Sequence, residues 1–141
     1  MTSPFIVEVG LASSTQYLPW LRRFVAVWGA PKGPAQLSPQ GVWRCTVALI
    51  EAVNNAVIHA HRRDATRPIW LRCTLRDGMV QLRVRDSGRP FFPQWVKMPA
   101  VDRDGGRGLY LMHAFMDDVR YRRWANGNEI ELTYNEKSRS L

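Results

Sequence analysis

Three polar residues, Glu51, Asn55 and His59, recur at intervals of four in the stretch IEAVNNAVIHAHR. At helical spacing they fall about 40° apart and form one stripe. A carboxylate on such a stripe can orient or deprotonate a nucleophile. An amide oxygen one turn on can hold Mg²⁺, which takes oxygen ligands and keeps several of its waters. Taken alone, the same residues also describe a solvated helix face with a buried histidine.

Two further groups have types that suit chemistry. In RVRDSGRPF, Asp86 closes a strand pattern and Gly88 follows two residues later. A carboxylate at a strand end can accept a hydrogen bond from an exocyclic amine such as that of adenine. Glycine lets a backbone approach a flat ring. Asp-Ser-Gly is also an ordinary turn. In RDGGRGLYLM, Gly105, Gly106 and Gly108 precede a helical pattern. The first N–H groups of a helix have no internal partners, so such a start binds phosphate well. Arg107 can add a charge-assisted contact. A plain hinge would use the same glycines.

Periodicity supplies the elements that must position these groups. PFIVEVG, residues 4–10, reads as a strand. Ser13 or Ser14 can cap a helix reaching about Trp28, with Leu18, Leu21, Val25 and Trp28 on its apolar face. Ser38 and Pro39 are a cap and first-turn pair for a long helix reaching about His61. Its apolar stripe includes Cys45, Leu49, Ala52, Val53 and Ala56. Residues 67–75 and 79–86 alternate as two strands joined by a turn. A proline-bearing loop spans 87–105, read as a lid. A helix follows over 106–118, then a hairpin of 119–124 and 128–134 across ANGN. The tail from 136 to 141 is expected to fray. This order predicts an α+β two-layer sandwich, a mostly antiparallel mixed sheet with its helices on one face.

Length and composition set the frame. The 141 residues suit one domain with an ordered core over about 4–135, and 45% hydrophobic residues exclude a disordered chain. Cys45 and Cys73 sit in apolar patterns, which suggests buried thiols in a reducing, cytoplasmic setting. No signal peptide and no apolar run of about 20 residues is present, so no membrane span is expected. The net charge of +8 comes from 17 Arg and three Lys against 12 acidic residues. The cations are scattered without a basic run or reading motif, so direct nucleic-acid binding is not expected.

Together the motifs are more specific than any one of them. An E-x-x-x-N helix, a D-x-G strand end and a G-x-G-L helix start occur in that order. This resembles the N, G1 and G2 boxes of the ATPases related to gyrase, Hsp90, histidine kinases and MutL. Within that group the chain looks most like the small anti-sigma-factor serine kinases of bacteria. EAVNNAVIHAH is similar to their N box and GRGLYLMHAFMDDVRY to their G2 box and following strand. The resemblance runs from about Ser13 to Thr133.

It implies the Bergerat, or histidine-kinase-like, ATPase fold and a set of roles. Glu51 matches the catalytic base, Asn55 the Mg²⁺ ligand and Asp86 the adenine-reading carboxylate. Gly88 matches the glycine beside the base, and Gly106 and Gly108 those under the phosphates. His59 falls within the N box and Arg107 and Leu109 within the G2 box, and the resemblance implies that they line the ATP site, with Asn128 of the final hairpin beside the adenine. ATP and Mg²⁺ are the implied cofactors. The implied partners are an anti-anti-sigma protein with a phosphorylatable serine, a sigma factor or equivalent regulator, and a second copy of the chain. A non-catalytic nucleotide-gated binding module and a histidine-kinase catalytic domain acting in trans are the alternatives. Two positions depart from the family pattern. Pro90 takes the place of a G1 glycine, and Gly127-Asn128 replaces a Gly-Thr pair.

Overall fold

Alternating side chains decide which face of the sheet becomes core. The structure, a computed structural model, describes residues 3–89 and 107–139. Its elements are β1 (Phe5–Ala12), α1 (Leu18–Trp28), α2 (Pro39–Asn54), β2 (Pro68–Arg76), β3 (Met79–Asp86), α3 (Arg107–Phe115), β4 (Asp118–Trp124) and β5 (Gly127–Asn135). The strands lie in the order β1-β2-β3-β5-β4, and every neighbouring pair is antiparallel. The expected two-layer sandwich is borne out, with a sheet that is antiparallel throughout its described strands.

One face carries Ile69, Leu71, Cys73 and Leu75 from β2, Val80, Leu82 and Val84 from β3, and Ile130, Leu132 and Tyr134 from β5, all buried. They pack in one cluster with Leu21, Val25 and Trp28 of α1 and Cys45, Leu49, Ala52 and Val53 of α2. Full burial of an aliphatic side chain of this size contributes about 1.5–3 kcal/mol, so this face fixes the strand register. Cys73 lies so deep that burial pushes its thiol pKa up to about 12, which makes it an inert packing group.

The opposite face is charged. Arg83 bonds Glu131 at 3.0 Å and Arg85 bonds Glu129 at 2.9 Å. Arg122 of β4 reaches both carboxylates, at 3.2 and 2.9 Å. Both glutamates are buried beneath the arginines.

The long helix begins as expected. Ser38 Oγ accepts the Gly41 N–H at 3.0 Å, and Pro39 occupies the first turn. Its end differs. From Asn55 to Ala60 the backbone is π-helical, and the His61 N–H donates to the Ala56 carbonyl five residues back, at 2.9 Å. One extra residue in each hydrogen-bonded step distinguishes this segment from α-helix.

The tail also differs from expectation. Glu136–Arg139 forms a 3₁₀ turn. The Glu136 carboxylate accepts from the Ser38 N–H and the Tyr134 hydroxyl, which ties the turn to the start of α2. The lid read over 87–105, apart from residues 87–89, lies outside the described residues, as do Pro90, Gly105 and Gly106.

Candidate functional site

The site grows from the ends of three elements: the C-terminal half of α2 with its π-helical extension, the end of β3, and the start of α3. Beta-strand β5 closes it from the side. Among the described residues, all donors to the Asp86 carboxylate reach Oδ1. They are the Gly88 N–H at 2.8 Å, the Asn128 side-chain amide at 2.9 Å and the Asn128 backbone N–H at 3.4 Å. Asp86 is buried, so three donors on one oxygen hold the carboxylate against rotation. Asn128 also donates to the Arg89 carbonyl at 2.5 Å, which joins β5 to the loop after β3.

That loop is held residue by residue. Arg67 donates to the Ser87 carbonyl at 2.8 Å, Arg123 to the Gly88 carbonyl at 3.0 Å, and Trp124 Nε1 to the Asp86 carbonyl at 3.1 Å. Gly88 lies against the backbone of Ala60, where a Cβ would overlap the Ala60 carbonyl. The glycine is therefore required by close approach of the π-helical turn, in addition to any flat ligand.

His61 joins the same loop from below. The Ser87 N–H donates to its Nε2 at 2.9 Å, and its Nδ1 lies 3.0 Å from Ser13 Oγ. An Nε2 that accepts a backbone N–H carries no proton, so Nδ1 is the protonated nitrogen and donates to Ser13. Burial lowers the pKa of this ring from its ordinary value, against a smaller upward pull from Asp86. His59, the residue on the anticipated stripe, is exposed on the π-helical segment.

Across the cleft, Glu51 faces the beginning of α3. A Cβ placed on Gly108 would meet Glu51 Oε2, so the missing side chain makes the space the carboxylate occupies. Partial burial raises the Glu51 pKa above its ordinary value. Next to it, Asn54 Oδ1 and Asn55 Nδ2 are buried with no hydrogen-bond partner among the described residues. Leu109 packs against the core, and Arg107 opens α3. The structure therefore brings Glu51 to Gly108, and Asp86 to Gly88 and Asn128. Gly106 lies outside the described residues.

Several contributors were not singled out from the sequence: His61, Ser13, Arg67, Arg123 and Trp124. The sequence points to Ser13 or Ser14 as the cap of the helix reaching Trp28; Ser14 instead caps the 3₁₀ turn Thr15–Tyr17 before it, its Oγ accepting the Gln16 N–H at 3.3 Å, and α1 itself has no side-chain cap. A hollow of about 580 Å³, lined by Glu8, Trp70, Arg72, Arg83, Arg85 and Trp124 among others, opens on the charged face of the sheet. It contains neither Glu51 nor Asp86, and lies on the opposite side of the sheet from the cleft.

A family model described as the histidine kinase-like ATPase domain matches residues 11–134. The chain belongs to that family. This histidine kinase-like ATPase domain is also 32% identical over 94 residues to the anti-sigma F factors of Bacillus thuringiensis and Bacillus mycoides, a match covering 60% of this chain and 64% of each relative. The chain thus spans less than two thirds of those relatives' length. Among solved structures, the RsbU and RsbW domains of a Mycobacterium tuberculosis protein match 93% of this chain and 32% of that one, with a TM-score of 0.67 and 21% identity. A blue-light activated histidine kinase of Erythrobacter litoralis matches 89% of this chain and 43% of that one, with a TM-score of 0.59 and 17% identity. At such identities the structural matches establish the fold. The resemblance drawn from the three motifs is borne out in that the chain belongs to the histidine kinase-like ATPase family and its matched Bacillus relatives are anti-sigma F factors. No helix among the described residues is long and apolar enough to cross a membrane.

Proposed function

We propose that this domain is an ATP-dependent protein-serine kinase of the anti-sigma-factor type. Its substrate would be an anti-anti-sigma protein, and its regulatory partner a sigma factor or equivalent. The observation that carries the reading is a pair of carboxylates, one clamped and one partly buried. Asp86 is clamped through Oδ1 by Gly88 and Asn128, and Glu51 stands over the start of α3 with a raised pKa.

The residues suit an adenine nucleotide. Asp86 is an acceptor for the exocyclic amine of the base, and Asn128 keeps it aimed. One turn from Glu51, the Asn55 Nδ2 is buried without a partner among the described residues, and as an N–H donor it suits a phosphate oxygen; the amide's oxygen is the atom that would take a cation. Mg²⁺ held there would neutralise charge on the γ-phosphate. Glu51 withdraws the proton from the substrate serine hydroxyl. The serine oxygen forms its bond to the γ-phosphorus as the bond to the bridging oxygen of ADP breaks. Positioning supplies most of the rate in such transfers. Burial helps because a base with a raised pKa holds the serine proton more readily.

Incubation with labelled ATP and a purified anti-anti-sigma candidate tests the proposal. Label on a partner serine supports it. ATP binding without transfer to any partner would favour a nucleotide-gated binding module, and label on histidine a histidine-kinase role in trans. The homodimer implied by the resemblance belongs to the same proposal and is read by analytical ultracentrifugation.

A further inference from the structure

We propose that His61 is a positioning residue for the nucleotide-binding loop, and that protonation of its ring releases the loop and weakens nucleotide binding. The inference rests on the nucleotide site proposed above and adds a regulatory input to it.

The argument begins with connectivity. His61 is buried and joins three separate segments: Ser13 after β1, the end of the π-helical turn, and Ser87 in the loop after β3. Ser87 lies between Asp86 and Gly88. Its N–H ends on His61, while its carbonyl accepts from Arg67 at 2.8 Å. The peptide units on both sides of Ser87 are therefore fixed from outside the loop. Gly88 in turn presses on Ala60, the residue before His61. A change at the imidazole is passed directly to the Asp86-Ser87-Gly88 backbone.

Only the neutral ring can accept the Ser87 N–H. A proton on Nε2 turns the acceptor into a donor that faces the Ser87 N–H, so two donors oppose each other at 2.9 Å. Protonation breaks this backbone contact and turns the ring proton towards the Ser87 hydroxyl, 3.3 Å from Nε2, so the Ser87 peptide must shift. The Ser13 hydroxyl can accept from Nδ1 in either state, so that contact does not oppose the change. The charged groups facing the ring are Asp86 from β3 and Arg67 and Asp64 from the turn before β2. Asp86 and Asp64 favour the proton and Arg67 disfavours it, while burial is the largest influence and lowers the pKa. The sign follows. The native contact is complete above the ordinary imidazole range and is lost as pH falls through the lowered pKa of His61.

Two substitutions separate positioning from bulk. His61→Gln offers an amide oxygen to the Ser87 N–H at every pH. His61→Phe keeps a ring and removes the acceptor. Affinity for Mg-ADP is measured by calorimetry at pH 8 and pH 5, with folding checked by circular dichroism. The nucleotide's own phosphate titration is common to all three proteins. The wild type should lose roughly five- to tenfold more affinity on acidification than His61→Gln, the scale of one backbone hydrogen bond. His61→Phe should be weaker than wild type by about the same factor already at pH 8. In NMR spectra the Ser87 amide should shift with the midpoint of the His61 ring. Wild type and His61→Gln with the same pH profile would overturn the inference while leaving the nucleotide site intact. No Mg-ADP binding at pH 8 in wild type would overturn the nucleotide site and the inference with it.

Discussion

Asn128 donates both its side-chain amide and its backbone N–H to Asp86 Oδ1, at 2.9 and 3.4 Å. The Gly-Asn pair that departs from the family's Gly-Thr pattern therefore still supports the strand-end carboxylate, through an amide in place of a hydroxyl. Asn128→Ala removes the side-chain donor and frees Asp86 to rotate. A hydrogen bond to a charged acceptor contributes about 1.5–3 kcal/mol, so ATP affinity should fall about tenfold or more. Calorimetric titration checks this, and an unchanged affinity would mean that Asp86 needs no help from β5.

Glu51→Gln keeps the shape of the cleft and removes the base. ATP binding should persist, while phosphoryl transfer drops by roughly 10²–10⁴-fold. The pH dependence has a definite sign. Glu51 acts ionised, and burial raises its pKa above 4.5. The acid limb of the rate profile should therefore lie at higher pH than an exposed glutamate would give. The same shift means that ionised Glu51 costs the fold stability as pH rises through that pKa, and Glu51→Gln should relieve that cost. Chemical denaturation at pH 8 reads the second effect, and single-turnover transfer the first.

Gly108→Ala places a methyl group where Glu51 Oε2 lies. The obstructing atom is the far end of a side chain, so the fold should lose little. Transfer should fall well before stability does, because Glu51 is displaced. In the Glu51→Gln background the added Ala should cause little further loss, since the group it displaces is no longer a base. Additive losses in transfer would show that the two residues act separately.

The ladder on the outer face predicts acid sensitivity. Burial works against ionisation of Glu129, but hydrogen bonds from Arg85 and Arg122 outweigh it and hold its pKa below 4.5. A depressed carboxylate pKa stabilises the fold above the unfolded-state pKa, and that stability is lost as pH falls through the folded one. Glu129→Gln should therefore be less stable than wild type near neutrality, by about 1 kcal/mol once exposure of the arginines is allowed for. The gap should narrow below about pH 4. A constant gap in urea midpoints from pH 7 to pH 3 would rule this out.

Local patterns carried much of this architecture. Alternation in Ile69, Leu71, Cys73 and Leu75 marked β2 as a one-sided strand, and the Ser38-Pro39 pair marked the start of α2. The stripe of Glu51 and Asn55 and the position of Asp86 followed from spacing over a few residues. What escaped depends on partners far away in the chain. Glu136 looked like part of a polar tail because its partner, the Ser38 N–H, lies 98 residues away. The pairing of β3 with β5 across an intervening helix and strand is likewise a tertiary choice. His59 fitted an α-helical stripe that the π-helical turn interrupts, and nothing in NAVIHA announces an i→i+5 pattern. That turn leaves His61, which fitted no stripe, as the residue that meets the loop.

The π-helical turn also sets a phase. An α-helix advances about 100° per residue. Forcing all six residues from Asn55 to Ala60 into α-helix, with none removed, would rotate everything after them by roughly that angle, because the π-turn is what absorbs the extra residue. Glu51 and the core stripe before it would keep their direction, but His61 would swing away from Ser87 and Ala60 away from Gly88. The six residues from Asn55 to Ala60 thus behave as a vernier between a rigid half-helix and the loop it serves. Substitutions tolerated chemically within them remain constrained by winding: the five-residue hydrogen-bond step of this segment is itself part of the site.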